Sequence, residues 1–97
     1  MRERRSNASI KREEFYRRVF DGYANSKGLV RTQLRHIAKD FGMDYQRVTE
    51  VLREYEYKGL LRRNGPQFIM KPPDSVDWVG YVPMCYEDVV DAFRKAK

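Results

Sequence analysis

Metal-binding and disulfide-forming residues are nearly absent from this sequence. Its 97 residues include one cysteine, Cys85, and one histidine, His36. A single cysteine excludes a disulfide within the chain, and the two residues together are too few for a cysteine-rich or histidine-rich zinc site. We therefore expect no metal and no cofactor, and a reducing, cytoplasmic location for the protein.

Long apolar runs are also missing. No segment approaches the roughly 20 consecutive apolar residues that a membrane-spanning helix needs. Charged residues make up 35% of the chain, and the sequence starts with MRERR, which leads into a charged stretch and not into the apolar core of a signal peptide. We expect no membrane segment and no secretion signal.

The sequence contains no recognisable catalytic constellation. His36 lies beside the apolar Ile37 in a predicted helix, and no nucleophile accompanies it at a spacing typical of a catalytic pair. We expect His36 to be a polar or capping residue and the protein not to be an enzyme.

Basic residues outnumber acidic ones and are concentrated in the first three quarters of the chain. Lys and Arg number 20 against 14 Asp and Glu, which gives a net charge of +6. Residues 1–18 hold seven basic and three acidic residues, whereas residues 72–97 hold three basic and five acidic ones. This asymmetry favours a polyanionic partner, most often nucleic acid. Hydrophobic residues, at 41%, suffice for one small folded domain.

Apolar residues at helical spacing predict two helices in the first half of the chain. The first is capped by Ser9 and ends in the polar turn 25–28. A short strand at 29–31 separates it from the second helix, which is capped by Thr32 and stopped by Gly42. The residues predicted to face inward are Phe15, Tyr16, Val19, Phe20 and Tyr23 in the first helix and Leu34, Ile37, Ala38 and Phe41 in the second.

A third helix and a β-hairpin follow. Asp44 is the predicted N-cap of this helix, and Gly59 ends it. Two short strand-like runs, 60–63 and 67–70, flank the turn sequence at 64–66, where Asn-Gly is a strong hairpin signal. The predicted buried face of the third helix consists of Val48, Val51, Leu52 and Tyr55.

The rest of the chain divides into an arm and an extension. Residues 1–8 are polar and basic, and we expect a flexible arm there, followed by the main domain at 9–71. Residues 72–97 are predicted to form an extension with a last helix at 86–95, which packs on the core or forms a dimer. Its predicted inward residues are Val89, Val90 and Phe93, and the residues expected to cover the core edge are Trp78, Val79, Tyr81 and Val82.

The region from about residue 28 to residue 71 resembles the DNA-binding domains of GntR-type and MarR-type bacterial regulators. The residues that carry the resemblance are Leu34, Ile37, Ala38, Gly42, Asp44, Val48, Gly59, Leu60 and Arg62. The resemblance implies a mainly α fold with a small β-hairpin, a winged helix-turn-helix, here with an added C-terminal helix. Because the chain has no length for the ligand-binding domain of GntR-type proteins, we expect a stand-alone regulator, as in phages, plasmids and archaea.

The resemblance implies a sequence-specific regulator of transcription that binds double-stranded DNA with its third helix in the major groove. The residues expected to read base edges or nearby phosphates are Tyr45, Gln46, Arg47, Thr49 and Arg53. Phosphate contacts are expected from Arg31 and Gln33, at the start of the second helix. The wing is expected to contact the backbone or minor groove through Arg62, Arg63, Asn64 and Gln67.

Two further expectations concern protein partners. Residues 45–57 contain three glutamates, at positions 50, 54 and 56, and only two arginines. An alternative is therefore a protein-interaction module, an adaptor or subunit that docks through this helix and does not bind duplex DNA. In the DNA-binding hypothesis a homodimer matches a palindromic site, and the expected dimer residues are Phe15, Val19, Val89 and Phe93.

Overall fold

A computed structural model describes residues 7–84, with side chains from Ser9 onward. Arm residues 1–6 and the predicted last helix at 86–95 lie outside the described residues. The described part is mainly helical with a small antiparallel sheet. Its elements are α1 (Asn7–Tyr23), β1 (Leu29–Val30), α2 (Leu34–Phe41), α3 (Tyr45–Tyr57), β2 (Leu61–Asn64), β3 (Gln67–Met70) and a 3₁₀ turn (Pro73–Ser75).

The three strands form one antiparallel sheet in the order β1-β3-β2. The predicted hairpin is confirmed, and its loop is two residues long, because Asn64 pairs with Gln67 across the turn. Gly65 has φ +64°, a conformation that glycine adopts readily at the first central position of such a turn. Pro66 follows it, where its fixed φ does not lengthen the loop.

Two helix starts differ from the prediction. Helix α1 begins at Asn7, so residues 7 and 8 of the predicted arm belong to the helix. Ser9 does not cap it but is buried, with its hydroxyl 3.5 Å and 3.4 Å from the carbonyl oxygens of Trp78 and Tyr81. Helix α2 begins at Leu34 with Gln33 as its N-cap residue, so the predicted cap at Thr32 is wrong.

The tight connection between α2 and α3 depends on Gly42. This glycine has φ +63° and ends α2, and the next amide, of Met43, donates to the carbonyl of Ala38 at 2.9 Å. Asp44 then occupies the N-cap position of α3, as predicted, but its side chain makes no capping hydrogen bond. A left-handed glycine followed at once by a new helix start brings two consecutive helices together across three residues.

This geometry predicts a small effect for Asp44→Ala. A capping hydrogen bond is worth about 1 kcal/mol, but Asp44 makes none. What Asp44 does contribute is the attraction between its carboxylate and the positive end of the α3 dipole, worth about 0.3–1 kcal/mol at low ionic strength. The substitution removes this attraction. We expect the free energy of unfolding, measured in urea, to fall by an amount that disappears in high salt. A loss that persists in high salt would indicate a capping bond after all.

The core lies between the helices and one face of the sheet. The predicted buried face of α3 is confirmed, since its four residues are all at most 3% exposed. Trp78 and Tyr81 cover the core edge as predicted, whereas Val79 and Val82 are 53% and 66% exposed and do not. Val19 is fully buried in the core and cannot contribute to a dimer interface. No helix among residues 7–84 is long and apolar enough to cross a membrane.

Candidate nucleic-acid interface

One side of α3 faces solvent, opposite its buried residues. Gln46, Arg53 and Tyr57 are exposed there, and Thr49 is half-buried beside them. These four residues follow one another at intervals of three, four and four positions, which places them along one stripe of the helix. We call these four residues the outward face of α3. The Thr49 hydroxyl donates its hydrogen to the carbonyl of Tyr45 at 2.9 Å, so toward a ligand its oxygen can act only as a hydrogen-bond acceptor.

The first turn of α3 is supported by an arginine that the sequence analysis did not single out. Tyr45 is 50% exposed, and the guanidinium of Arg35 lies 5.7 Å from the centre of its ring. A cation over an aromatic face restricts both side chains and leaves the guanidinium donors facing outward. The exposure of Arg35 could have been predicted from the sequence, because the buried residues of α2, Ile37 and Ala38, leave position 35 on the exposed side of the helix.

Arg47 lies on a different side of α3 from the outward face. Its side chain is 52% exposed and lies 3.8 Å from a carboxylate oxygen of Glu50. It also forms one wall of a groove of about 300 Å³ between α1 and α3, which we call the α1–α3 groove. The residues lining this groove are Lys11, Arg12, Glu14, Phe15, Arg18, Phe41, Met43, Arg47 and Val51. The five predicted residues of this helix therefore do not all share one surface.

The hairpin carries the next group of predicted residues. Arg62, Arg63 and Asn64 are exposed, and Gln67 is half-buried. Arg62 pairs with Ile69, and Arg63 pairs with the buried Phe68, so the two arginines project from opposite faces of the sheet. Both charges therefore flank the hairpin, but they cannot approach the same phosphate from the same side.

Arg31 and Gln33 lie exposed on the connection from β1 to α2. The carbonyl of Gln33 accepts from the amide of Ile37 at 3.2 Å, as an N-cap carbonyl does. The first amides of a helix and the positive end of its dipole favour an anion at such a position. This local geometry suits the phosphate contacts expected of these two residues.

Glu54, one of the three glutamates on which the protein-docking alternative depends, is removed from the surface. Only 1% of it is exposed, and its carboxylate accepts from Arg12 Nε at 2.9 Å and from the backbone amide of Met84 at 2.9 Å. The hydroxyl of Tyr81 donates to the same carboxylate. Burial, and then this hydrogen bond, raise the pKa of Tyr81 well above its ordinary value. The negative charge of Glu54 is therefore paired with Arg12 inside the protein and does not add to the surface charge of α3.

His36 belongs to a small surface cluster. Its Nε2 lies 3.3 Å from a carboxylate oxygen of Asp40, which also accepts from the Tyr23 hydroxyl. This hydrogen bond raises the pKa of Tyr23 to about 12. Within residues 7–84, no three side chains of the metal-binding types lie close enough to hold an ion.

Comparisons with known proteins give no match: no family model, no curated protein and no solved structure is detectably similar to this chain.

Proposed function

We propose that this protein is a winged helix-turn-helix protein that binds double-stranded DNA sequence-specifically and regulates transcription. The order of elements supports this assignment, because a helix and a short strand precede two helices joined by a tight turn, and a hairpin follows. The sheet order β1-β3-β2 holds the hairpin beside the helices, where a wing belongs. The turn at Gly42 is typical of a helix-turn-helix.

The observation that carries the proposal is the outward face of α3. Gln46 offers an amide that can pair bidentately with adenine, and Arg53 offers a guanidinium that fits guanine. Thr49 contributes an acceptor between them. These groups stand on a rigid helix whose opposite side is fully packed, so they can enter a major groove without rearrangement of the core.

The remaining predicted residues suit contacts to the DNA backbone. Arg62 and Arg63 are exposed on the hairpin, and Arg31 is exposed before α2. Lysine and arginine side chains on such projecting elements bind phosphates and supply affinity that falls with salt concentration. We therefore assign selection of the base sequence to α3 and most of the affinity to the hairpin.

The burial of Glu54 favours this function over a protein-docking module. The alternative depended on an acidic third helix, but one of its three glutamates is paired with Arg12 inside the protein. A second, Glu50, is half-buried and lies near Arg47. The surface of α3 is therefore less acidic than its sequence, and less repulsive to a phosphate backbone.

Single substitutions should separate sequence selection from affinity. Gln46→Ala should cost about 1–3 kcal/mol of discrimination at one or two base positions. Arg62→Ala should weaken binding to specific and random duplexes alike, and each lost phosphate contact should flatten the slope of log K against log salt by about one. Equilibrium binding of each variant to both duplexes at two salt concentrations checks this.

Lys27→Ala is the matched control for the hairpin variants. Lys27 is an exposed cation in the turn before β1. Its neighbour Gly28 accepts a hydrogen bond from the amide of Met70, which places this turn at the end of the sheet opposite the hairpin turn. Its removal changes the net charge equally, so it should leave the salt slope nearly unchanged. If hairpin variants altered base preference while Gln46→Ala kept it, the assignment of roles would be reversed.

A homodimer remains part of the proposal, since two copies would double the contacts to a palindromic site. With Val19 buried, the exposed apolar residues available for an interface among those described include Ile10, Val79 and Val82. We expect light scattering at micromolar concentration to give twice the chain mass of 11.6 kDa. A monomer at every accessible concentration would remove the dimer and the expectation of a palindromic site.

A further inference from the structure

The solvent-exposed side of α1 is one stripe whose charges alternate in sign. From Ser9 onward, the exposed residues of this helix are Ile10, Lys11, Glu14, Arg18, Asp21 and Gly22, and we call these six residues the α1 stripe. Their spacing keeps them on one side of the helix. Two cations and two carboxylates make the stripe neutral, on a chain whose net charge is +6. A neutral surface does not favour a nucleic acid.

The α1 stripe is complementary to itself when it is read in the opposite direction. Its residues follow one another at intervals of one, three, four, three and one positions, which is the same order from either end. Lys11 and Asp21 hold equivalent places in the two readings, and so do Glu14 and Arg18. Two antiparallel copies would therefore place opposite charges together, whereas two parallel copies would place like charges together.

The charges of the stripe are available for such a contact. Among the residues that the structure describes, Lys11, Glu14 and Asp21 have no ion-pair partner. The guanidinium of Arg18 lies 4.6 Å from the centre of the Phe41 ring. This stacking uses the flat face of the guanidinium and leaves the N–H donors at its edge for a carboxylate.

The apolar end of the stripe also has a place to go. Ile10 is 39% exposed, and in the antiparallel arrangement it lies over Gly22 of the second copy. Gly22 lines a hollow of about 490 Å³ together with Tyr23 and Phe41. A β-carbon at this glycine would meet nothing within 4 Å, so the surface is open there. The Ile10 side chain of each copy can therefore enter the hollow of the other.

Helix geometry permits this pairing. Ile10, Glu14, Arg18 and Gly22 form a row of every fourth residue, about 18 Å long at 1.5 Å per residue. Two helices that pack along such rows cross at about 50°, the commonest class of helix packing. Lys11 and Asp21 lie on opposite sides of the row. An inclined crossing brings each of them beside the other residue in the second copy.

We propose that two copies of this protein associate antiparallel through the α1 stripe. Lys11 pairs with Asp21 of the second copy and Glu14 with Arg18 of the second copy, and two-fold symmetry makes each pair occur twice. The proposal rests on the homodimer of the proposed function. It uses no residue that is assigned to DNA contacts, so DNA binding can fail without affecting it.

Sedimentation equilibrium of the full-length protein without DNA tests the proposal. Glu14→Arg and Arg18→Glu each place like charges together at two points of the interface. We expect either substitution to raise the dissociation constant of the dimer by about tenfold or more. Arg53→Glu, an equal charge reversal on the outward face of α3, is the matched control and should leave the constant unchanged.

Mixing the two variants separates a contact between copies from damage to the fold. In an equimolar mixture of Glu14→Arg and Arg18→Glu chains, a heterodimer has opposite charges at both points, so dimers should reappear with nearly the original dissociation constant. Failure of the mixture to associate would overturn the proposal. A wild-type monomer would overturn it together with the homodimer, and a dimer that both reversals leave unchanged would overturn this interface alone.

Discussion

Alanine in place of Glu54 should lower the free energy of unfolding by about 3–5 kcal/mol, the range found when one partner of a buried ion pair is removed. The guanidinium of Arg12, 11% exposed, would lose its carboxylate and stay largely desolvated. The Tyr81 hydroxyl and the Met84 amide would lose their acceptor at the same time. Urea denaturation followed by circular dichroism measures the loss.

Glu56→Ala is the control for this substitution. Glu56 lies two residues further along α3 and is only half-buried, so its removal should change the stability by no more than about 0.5 kcal/mol. A loss for Glu54→Ala as small as that would mean that the carboxylate faces water. The glutamate would then count again among the surface charges of α3.

Leu52→Ala should cost about 2–5 kcal/mol, because it removes a buried side chain and leaves a cavity that the surroundings fill only partly. Leu52 is 2% exposed and lies on the packed face of α3. The same denaturation experiment measures the change, and Arg53→Ala, one residue on and exposed, should be close to neutral. A neutral Leu52→Ala would show that the helix is rotated, and every residue assigned to its outward face would have to be reassigned.

Two kinds of feature could be predicted from the sequence: those that follow from the helical spacing of apolar residues, and those that require a particular backbone conformation at one residue. The 48, 51, 52 and 55 spacing identified the buried face of α3 because helical geometry repeats every few residues. Gly42 and the hairpin glycine Gly65 were recognisable because few other residues accept a positive φ. These signals also sufficed to place Gln46, Arg53 and the hairpin arginines at the surface.

Features that depend on distant residues could not be predicted. Glu54 has the spacing of a surface residue, and its burial depends on Arg12 and Tyr81, which lie 42 and 27 positions away. Ser9 has the chemistry of a helix cap, but contacts with the C-terminal extension bury it within α1. Gln33 occupies the N-cap position of α2 because of where the chain leaves β1. Its side chain does not determine this, since it makes no capping hydrogen bond.

Selecting bound duplexes from a random pool and sequencing them tests the claim that this protein reads a DNA sequence with α3. The expected result is enrichment of one motif, retained at moderate salt, which the Gln46→Ala variant selects less strictly at one or two positions. Failure to retain any duplex even at low salt would contradict the claim, and it would favour a protein partner for α3.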